Sequence, residues 1–417
     1  MAIRNDLGTV KTNVFRRIDE TFPQQCSFLQ QLIRIETVNP PGKYGEIVKF
    51  LSSFAAENGL RSEIFETPMQ KCMDAGLDTI QRRLSIKITE GSSRPRILLL
   101  AHSDTVPIGD KALWKHDPFK GEITEGKMYG RGACDCKGRI AGYMFALLAL
   151  KRELKSLPSE VSVAVTADEE IGGATGAKYL LDEKILDCDL CIGEGYTWEV
   201  FHGFKGLLWF RIAIRGATAH GSTPHLGISV VPALEDILRQ LREYRERKLS
   251  SSVGLSDTTM NVGIVHAGSK INMVPDFATV EIDFRVGSNH KVKQIIAEVS
   301  EIVERVKHAN PSVSITLDVP NESEPISLDP HHNLVKTVHS AVEEVANRKI
   351  PVTLWFAHSD TLHFLKKGIP CVNYGAGRAG VAHITDEYVD LEDLRLSTKA
   401  VALSILKLMT GTGADDA

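Results

Sequence analysis

A chain of 417 residues with 43% apolar and 24% charged content is too long for one ordinary core and predicts a two-domain soluble globular protein. Its net charge of -4 comes without a basic block or an aromatic-interleaved arginine stripe, which argues against a nucleic-acid partner. The longest apolar stretch, residues 140–150, falls well short of the ~20 residues of a membrane span, and residues 1–20 lack the apolar centre of a signal peptide, so a cytoplasmic setting with no membrane partner is expected.

Helical periodicity covers residues 10–35 and ends at TVNPPG, where Pro40 and Pro41 stop it. A second helix is expected over 44–58, followed by strands at 61–66, 84–88 and 96–101. A Gly-rich apolar helix over 138–154 precedes a strand at 160–167, an acidic turn, a helix across 174–182 and a strand at 190–193. This alternation predicts a mixed, mostly parallel sheet with helices on both faces, an α/β/α sandwich.

The pattern changes near Phe204, where the order becomes strand 207–215, helix 230–247, strands 259–266 and 278–286, helix 291–307 and strand 313–317. That is a split β-α-β, two-layer α+β module of ferredoxin-like type, inserted at 205–318. A helix over 333–346, a strand around 370–374 and a helix over 391–409 resume the first domain, which is thereby split into 1–204 and 319–417. The closing GTGADDA is expected to be disordered.

Seven cysteines, an odd number spread along the chain, suggest reduced thiols rather than a disulfide framework. Cys188 and Cys191 form a CxxC inside an expected buried strand, where small core residues are the better reading than a structural zinc site. The pentapeptide AHSDT occurs at 101–105 and again at 357–361, but the flanks differ and the repeat reads as coincidence.

Chemistry concentrates at the ends of the expected strands. His102 and Asp104 follow ILLLA, Glu169 and Glu170 follow VSVAVTAD, Asp135 lies in YGRGACDCKG, Glu194 in CIGEGY and His383 in AHITDE. In open α/β sheets that edge is where ligands bind. Two imidazoles and three carboxylates there suit two divalent ions, with Asp135 able to bridge them. Asp104 can hold the second ring nitrogen of His102, and Glu169 is left over as a base for the attacking water.

Taken singly, each residue has a plainer explanation: an HxD pair is usually a cap, and Glu-Glu before Gly is usually a helix start. Their concurrence at strand ends favours the metal reading. Gly172, Gly173 and Gly176 hint at dinucleotide binding, but GGATG is not GxGxxG and three acids would repel a pyrophosphate. Ser103 as a nucleophile is disfavoured because neighbouring strand residues face opposite sides.

The chain resembles the dinuclear-zinc deacylase and peptidase family that includes acetylornithine deacetylase, succinyl-diaminopimelate desuccinylase, aminoacylase and carboxypeptidase G. The matching stretches run in order over nearly the whole chain: TVNPPG, LLLAHSDTVP, WKHDPFKGEITEGKMYGRGACDCKG, TADEEIGGATGAKYL, GFKGLLWFRIAIRGATAHGSTPHLG, INMVPD and GIPCVNYGAGRAGVAHITDEYVDLEDL. The resemblance implies that His102, Asp135, Glu170, Glu194 and His383 bind one or two Zn²⁺ ions per chain, with Mn²⁺ or Co²⁺ as alternatives. It implies Asp104 as the residue orienting His102 and Glu169 as general base. It makes the inserted module a lid that forms a homodimer, with His220 reaching the partner's site to stabilise an oxyanion. Asn272 and Arg285 match lid positions that hold the polar end of a small-molecule substrate.

Three features depart from the family pattern. Asp135 is followed by Cys136 rather than Met or Asp, placing a thiol beside the expected bridge. Gly375-Ala376-Gly377-Arg378 replaces Gly-Pro-Gly and adds a cation near His383, so Gly377 and Arg378 join the expected substrate-binding residues. His358, with His363, adds imidazoles to a segment expected to line the pocket. The expected activity is hydrolysis of the amide bond of a small N-acylated amino acid or dipeptide. The alternatives are hydrolytic deamination of a small or aromatic amine on the same site and a non-catalytic binding protein.

Overall fold

The computed structural model describes residues 6–77, 80–249 and 257–411; residues 412–417 of the expected disordered tail lie outside them. In chain order the elements are α1 (Leu7–Arg34), α2 (Gly45–Glu57), β1 (Arg61–Glu66), α3 (Met69–Asp74), β2 (Leu84–Glu90), β3 (Ile97–His102), β4 (Glu122–Thr124), β5 (Lys127–Tyr129), α4 (Gly138–Leu154), β6 (Val161–Thr166), α5 (Ala177–Asp182), β7 (Leu190–Gly193) and β8 (Val200–Phe204). Then follow β9 (Gly206–Arg215), α6 (Val231–Lys248), β10 (Thr259–Ala267), β11 (Phe277–Val286), α7 (Val292–Ala309), β12 (Ser314–Ser323) and β13 (Ile326–Ser327). The chain closes with α8 (Asn333–Ala346), β14 (Val352–Trp355), α9 (Thr361–Lys366), β15 (Cys371–Asn373), β16 (Tyr388–Asp390) and α10 (Leu391–Thr410).

Two compact units result, one of residues 1–203, 328–353 and 358–417, the other of 204–327 and 354–357. In the first, the strands run β1-β2-β6-β3-β7-β15-β8. The centre β6-β3-β7-β15 is parallel and the flanks are antiparallel, a mixed sheet. The alternation of side chains along β3 explains the sandwich. Ile97, Leu99 and Ala101 join a large core with α1, α2, α4, α8 and α10, while Leu98 and Leu100 face a smaller core with α5 and α9. A helix buried on every side must sit at the centre of a layer, and α4 is buried from Gly138 to Leu150.

Three-residue strands β4, β5 and β16 form a small separate sheet that the sequence pattern did not reveal. Its hairpin turns at Glu125 and Gly126, both at positive φ.

The second unit is a four-stranded antiparallel sheet in the order β10-β11-β9-β12 with α6 and α7 packed on one face. Its β-α-β-β-α-β order is ferredoxin-like. Strict alternation in β9 and β11 gives that face its core. The return boundary lies beyond the expected 318, because β12 does not stop at Leu317. A register shift between Asp318 and Asn321 takes up Pro320, and the strand continues beside β9 to Ser323. In this sheet β9 is interior, and β10 and β12 are the edges.

Candidate metal centre

Parallel strands start in register at one end of the sheet and so end together at the other. Leu100 pairs with both Ala164 of β6 and Gly193 of β7. His102 ends β3, Glu169 and Glu170 follow β6, and Glu194 follows β7, so four of the predicted residues meet at the carboxyl ends of adjacent strands. Asp135 arrives from the loop ahead of α4, joined to Cys136 by a cis peptide, and His383 arrives from the loop between β15 and β16 with φ 66°.

Two clusters result among the described residues, and they share Asp135. His102, Asp135, Cys136 and Glu194 form one, Asp135, Glu170 and His383 the other; within each, one candidate ligand atom per residue lies within 4.8 Å of the rest. Asp135 Oδ1 lies 3.1 Å from His102 Nε2, and its Oδ2 lies 3.5 Å from His383 Nε2. Glu194 Oε2 is 3.2 Å from His102 Nε2, and Glu170 is 3.1 Å from His383 Nε2. The first cluster is buried apart from the half-buried Asp135 that the two share; the second opens to solvent through His383, whose side chain is 49% exposed.

The residues fit a cation. His102 Nδ1 lies 3.0 Å from the backbone carbonyl of Asp104, which places a proton there, and Nε2 faces two carboxylates. Glu194 Oε2 is buried and accepts no hydrogen bond. Burial by itself would depress the His102 pKa, yet Cys136, Glu194, Asp104 and Asp135 outweigh it and hold the pKa well above the ordinary imidazole value. The hollow is short of positive charge, and His, Asp, Glu and Cys donors are those that divalent transition metals take.

Glu169 belongs to neither cluster. It is 8% exposed, its Oε1 lies 3.2 Å from His358 Nδ1 and its Oε2 3.9 Å from His102 Nε2. Burial, then the charge of Glu194, hold its pKa well above the ordinary carboxylate range. Ser103 is no part of this: its hydroxyl donates to the Thr166 carbonyl, away from the imidazole.

Asp104 does more than was expected of it. Its carboxylate is 3.5 Å from His102 Nδ1, farther than its own backbone oxygen, and accepts from the backbone amides of Glu169 and Glu170 at 3.2 Å each. It therefore sets the turn that carries both glutamates. Asn39, from TVNPPG, donates to Asp104 at 2.9 Å and to Asp168 at 3.0 Å. Tyr44 donates to Asp168 at 2.6 Å, and Arg83 pairs with Asp168 at 3.1 Å, both charges fully buried. Asp168 is thus the anchor of the acidic turn, held at φ 62°. Removing one partner of a buried ion pair strands the other charge, so Arg83→Met is expected to destabilise the protein by about 3–5 kcal/mol. Urea unfolding checks this; an unchanged midpoint would show that the pair holds nothing in place.

Sequence reasoning missed further residues. Glu387, in the same ITDE stretch as His383, accepts from the backbone amides of Cys134 and Asp135 at 3.0 and 2.9 Å and pairs with buried Arg131. Asn373 donates to the Glu194 carbonyl at 2.8 Å. Arg139 is buried, and its Nη1 donates to Asp135 Oδ1 at 2.8 Å. Its spacing, one helical turn beyond Asp135, was the available signal.

Arg378 is corrected. Its guanidinium is taken up by Asp393 and, at 3.4 Å, by Asp390, the acids at the start of α10, so it is not a free cation for substrate. Gly377, at φ 143°, packs so closely that a Cβ would stand 3.0 Å from Cys134 Sγ and 3.3 Å from Arg139 Nη2. His363 stands 5.9 Å from His358, ring to ring, with its Nε2 at 3.3 Å from the Gly172 carbonyl. Two glycines of GGATG serve packing: a Cβ on Gly173 would lie 2.1 Å from Asp360 Oδ1 and one on Gly176 1.8 Å from the Ala167 carbonyl.

The remaining predicted residues lie in the second unit. His220 is exposed, and its Nδ1 accepts from the Ser222 backbone amide at 3.2 Å, which leaves the proton on Nε2. Asn272 is beside it, its carbonyl accepting from Gly221 at 2.8 Å. Arg285 is not with them. It sits near the opposite end of β11, eight extended residues beyond Phe277 or roughly 26 Å at about 3.3 Å per residue. There Arg285 contacts Asp283 at 3.2 Å and the Phe356 carbonyl at 3.3 Å.

The chain is similar to known proteins over most of its length. Succinyl-diaminopimelate desuccinylase of Rickettsia bellii is 26% identical over 386 residues, 88% of this chain and 93% of that protein. A probable succinyl-diaminopimelate desuccinylase of Staphylococcus epidermidis is 24% identical over 411 residues, 91% of this chain and 96% of that protein. The fold matches a tripeptidase from Staphylococcus aureus with a TM-score of 0.70 at 20% identity, covering 93% of this chain and 99% of that one. It also matches a dinuclear metal binding peptidase from Bacillus subtilis with a TM-score of 0.66 at 15% identity, covering 94% and 99%. Because the profile of peptidase family M20/M25/M40 matches residues 98–407, the chain belongs to that family, and it is a metal-dependent hydrolase of C–N bonds.

Proposed function

We propose that the protein hydrolyses the amide bond of a small N-acylated amino acid or dipeptide, using two Zn²⁺ ions held by His102, Asp135, Glu170, Glu194 and His383. The observation that carries this reading is the pair of ligand clusters sharing Asp135, with Glu169 beside them and in neither. When bound, the ions polarise the scissile carbonyl and acidify water. Glu169 takes the proton from the attacking water and returns it to the leaving nitrogen, a role to which a raised pKa is suited. Asp104 keeps His102 and the Glu169-Glu170 turn in place. The succinyl-diaminopimelate desuccinylase relatives support a small N-acylated substrate. Mn²⁺ and Co²⁺ are alternatives to zinc, since histidine and carboxylate donors accept all three.

The same proposal includes a homodimer made through the second unit, acting as a lid. The edge strand β10 exposes Ile264 and Val265, 52% and 48% accessible, apolar surface suited to pairing with its own copy. Arg285 and the His220–Asn272 pair are too far apart along one sheet to hold one small substrate together. Action of His220 across the dimer removes the need for these residues to meet within one chain. Seven free cysteines support a reducing, cytoplasmic setting. No helix among the described residues is long and apolar enough to cross a membrane.

The test combines activity and metal content. Wild-type protein loaded with zinc or manganese is assayed on N-acyl amino acids, dipeptides and aromatic amines, the last giving free ammonia if the reaction is a deamination. His102→Ala, Asp135→Ala and His383→Ala are each expected to lose metal and turnover together. Full metal stoichiometry in all three would refute the assigned ligands, and ammonia release without amide cleavage would refute the substrate class.

A further inference from the structure

The first ligand cluster contains a donor that the two-metal reading does not use. Cys136 is completely buried, and its sulfur is within 4.8 Å of the ligand atoms of His102, Asp135 and Glu194. The neighbouring thiol does not share this position: Cys134 Sγ turns away, toward the Arg378 carbonyl at 3.8 Å, and is absent from the cluster. Glu194 Oε2 stands buried and without a hydrogen bond in the same hollow, a second donor aimed into it.

Charge supplies an independent reason. Arg139 brings a buried guanidinium into contact with Asp135 Oδ1 at 2.8 Å, with Nε on the Gly195 carbonyl at 2.8 Å and Nη2 without a hydrogen-bond partner. That fixed positive charge weakens what Asp135 and Glu194 offer an incoming dication. A thiolate at Cys136 offsets it, restoring the negative charge of the donor set. The second cluster has no such device: Asp135, Glu170 and His383 offer only oxygen and nitrogen and reach solvent.

We propose that Cys136 is a ligand of the ion at the first site. The metals are then inequivalent: the first site has four protein donors, one of them sulfur, while the second has three hard donors and keeps a position open. Four protein ligands describe a closed site and three an open one. Soft sulfur also favours zinc over manganese at the first site. On binding, the Cys136 S–H bond breaks, its proton passes to the buffer, and the sulfur's electron pair forms the bond to the metal. This inference rests on the metal reading above, but it fails separately.

Cobalt as the bare ion is the probe. Full-length protein is stripped with a chelator, titrated with Co²⁺ and followed by absorption. The first equivalent is expected to give an intense sulfur-to-cobalt charge-transfer band in the near ultraviolet, the second only weak visible bands. Cys136→Ser and Cys136→Ala are expected to lose the intense band while still binding cobalt, and Cys134→Ser to keep it. The wild-type spectrum decides even if the Cys136 variants fail to fold. Bound cobalt without that band, or a band lost in Cys134→Ser and kept in Cys136→Ser, overturns the thiolate ligand and leaves the histidine–carboxylate site standing. Failure of the wild-type protein to bind cobalt at all overturns both.

Discussion

Replacing Glu169 by Gln is expected to lower turnover by about 10²–10⁴ while leaving metal content unchanged, the usual cost of removing a general base. The prediction is sharp because the environment isolates the carboxylate's charge from its other duties. Glu169 is in neither ligand cluster, so losing its charge removes no candidate metal donor. Its backbone amide, not its side chain, ties the turn to Asp104, and that bond survives the substitution. Gln has the same length and can still meet His358, so the shape of the pocket is retained. Elemental analysis of the purified variant beside steady-state rates separates the possibilities. Near-normal turnover would remove Glu169 from the mechanism, and loss of metal would make it a ligand instead.

What the sequence disclosed follows from where each residue sits on the chain. His102, Glu169, Glu170 and Glu194 each end a short apolar run, and parallel strands deliver such residues to one place whatever the details of packing. The residues that hold them were hidden because their partners are remote. Asn39 and Arg83 reveal nothing until Asp168, far along the chain, folds against them. Arg378 was misread for the same reason: its proximity in sequence to His383 was visible, but the competing acids at the head of α10 were not. The interior position of β9 depends on β12 returning to its far side, a long-range pairing with no local signature. Strands of three residues, as in β4, β5 and β16, are too short to show alternation at all.

The separation of His220 from Arg285 makes the last prediction possible. If His220 stabilises negative charge developing on the carbonyl oxygen of the partner's substrate, His220→Ala is expected to lower kcat by about 10²–10³ and to alter KM far less. The side chain is suited to that task, exposed on its loop with Nδ1 engaged by Ser222 and the Nε2 proton available to donate. A loop histidine that merely faces solvent would change neither constant. Complementation distinguishes action across the dimer from action within one chain. A Glu169→Ala chain keeps His220 but has no base; a His220→Ala chain keeps the base but has no donor. When they are mixed and exchanged, each heterodimer combines the intact Glu169 of one chain with the intact His220 of the other at a single site. Activity well above that of either parent is therefore expected, and it should scale with the heterodimer fraction measured by sedimentation or native mass analysis. Proven heterodimers with no recovered activity would show that His220 serves its own chain or nothing.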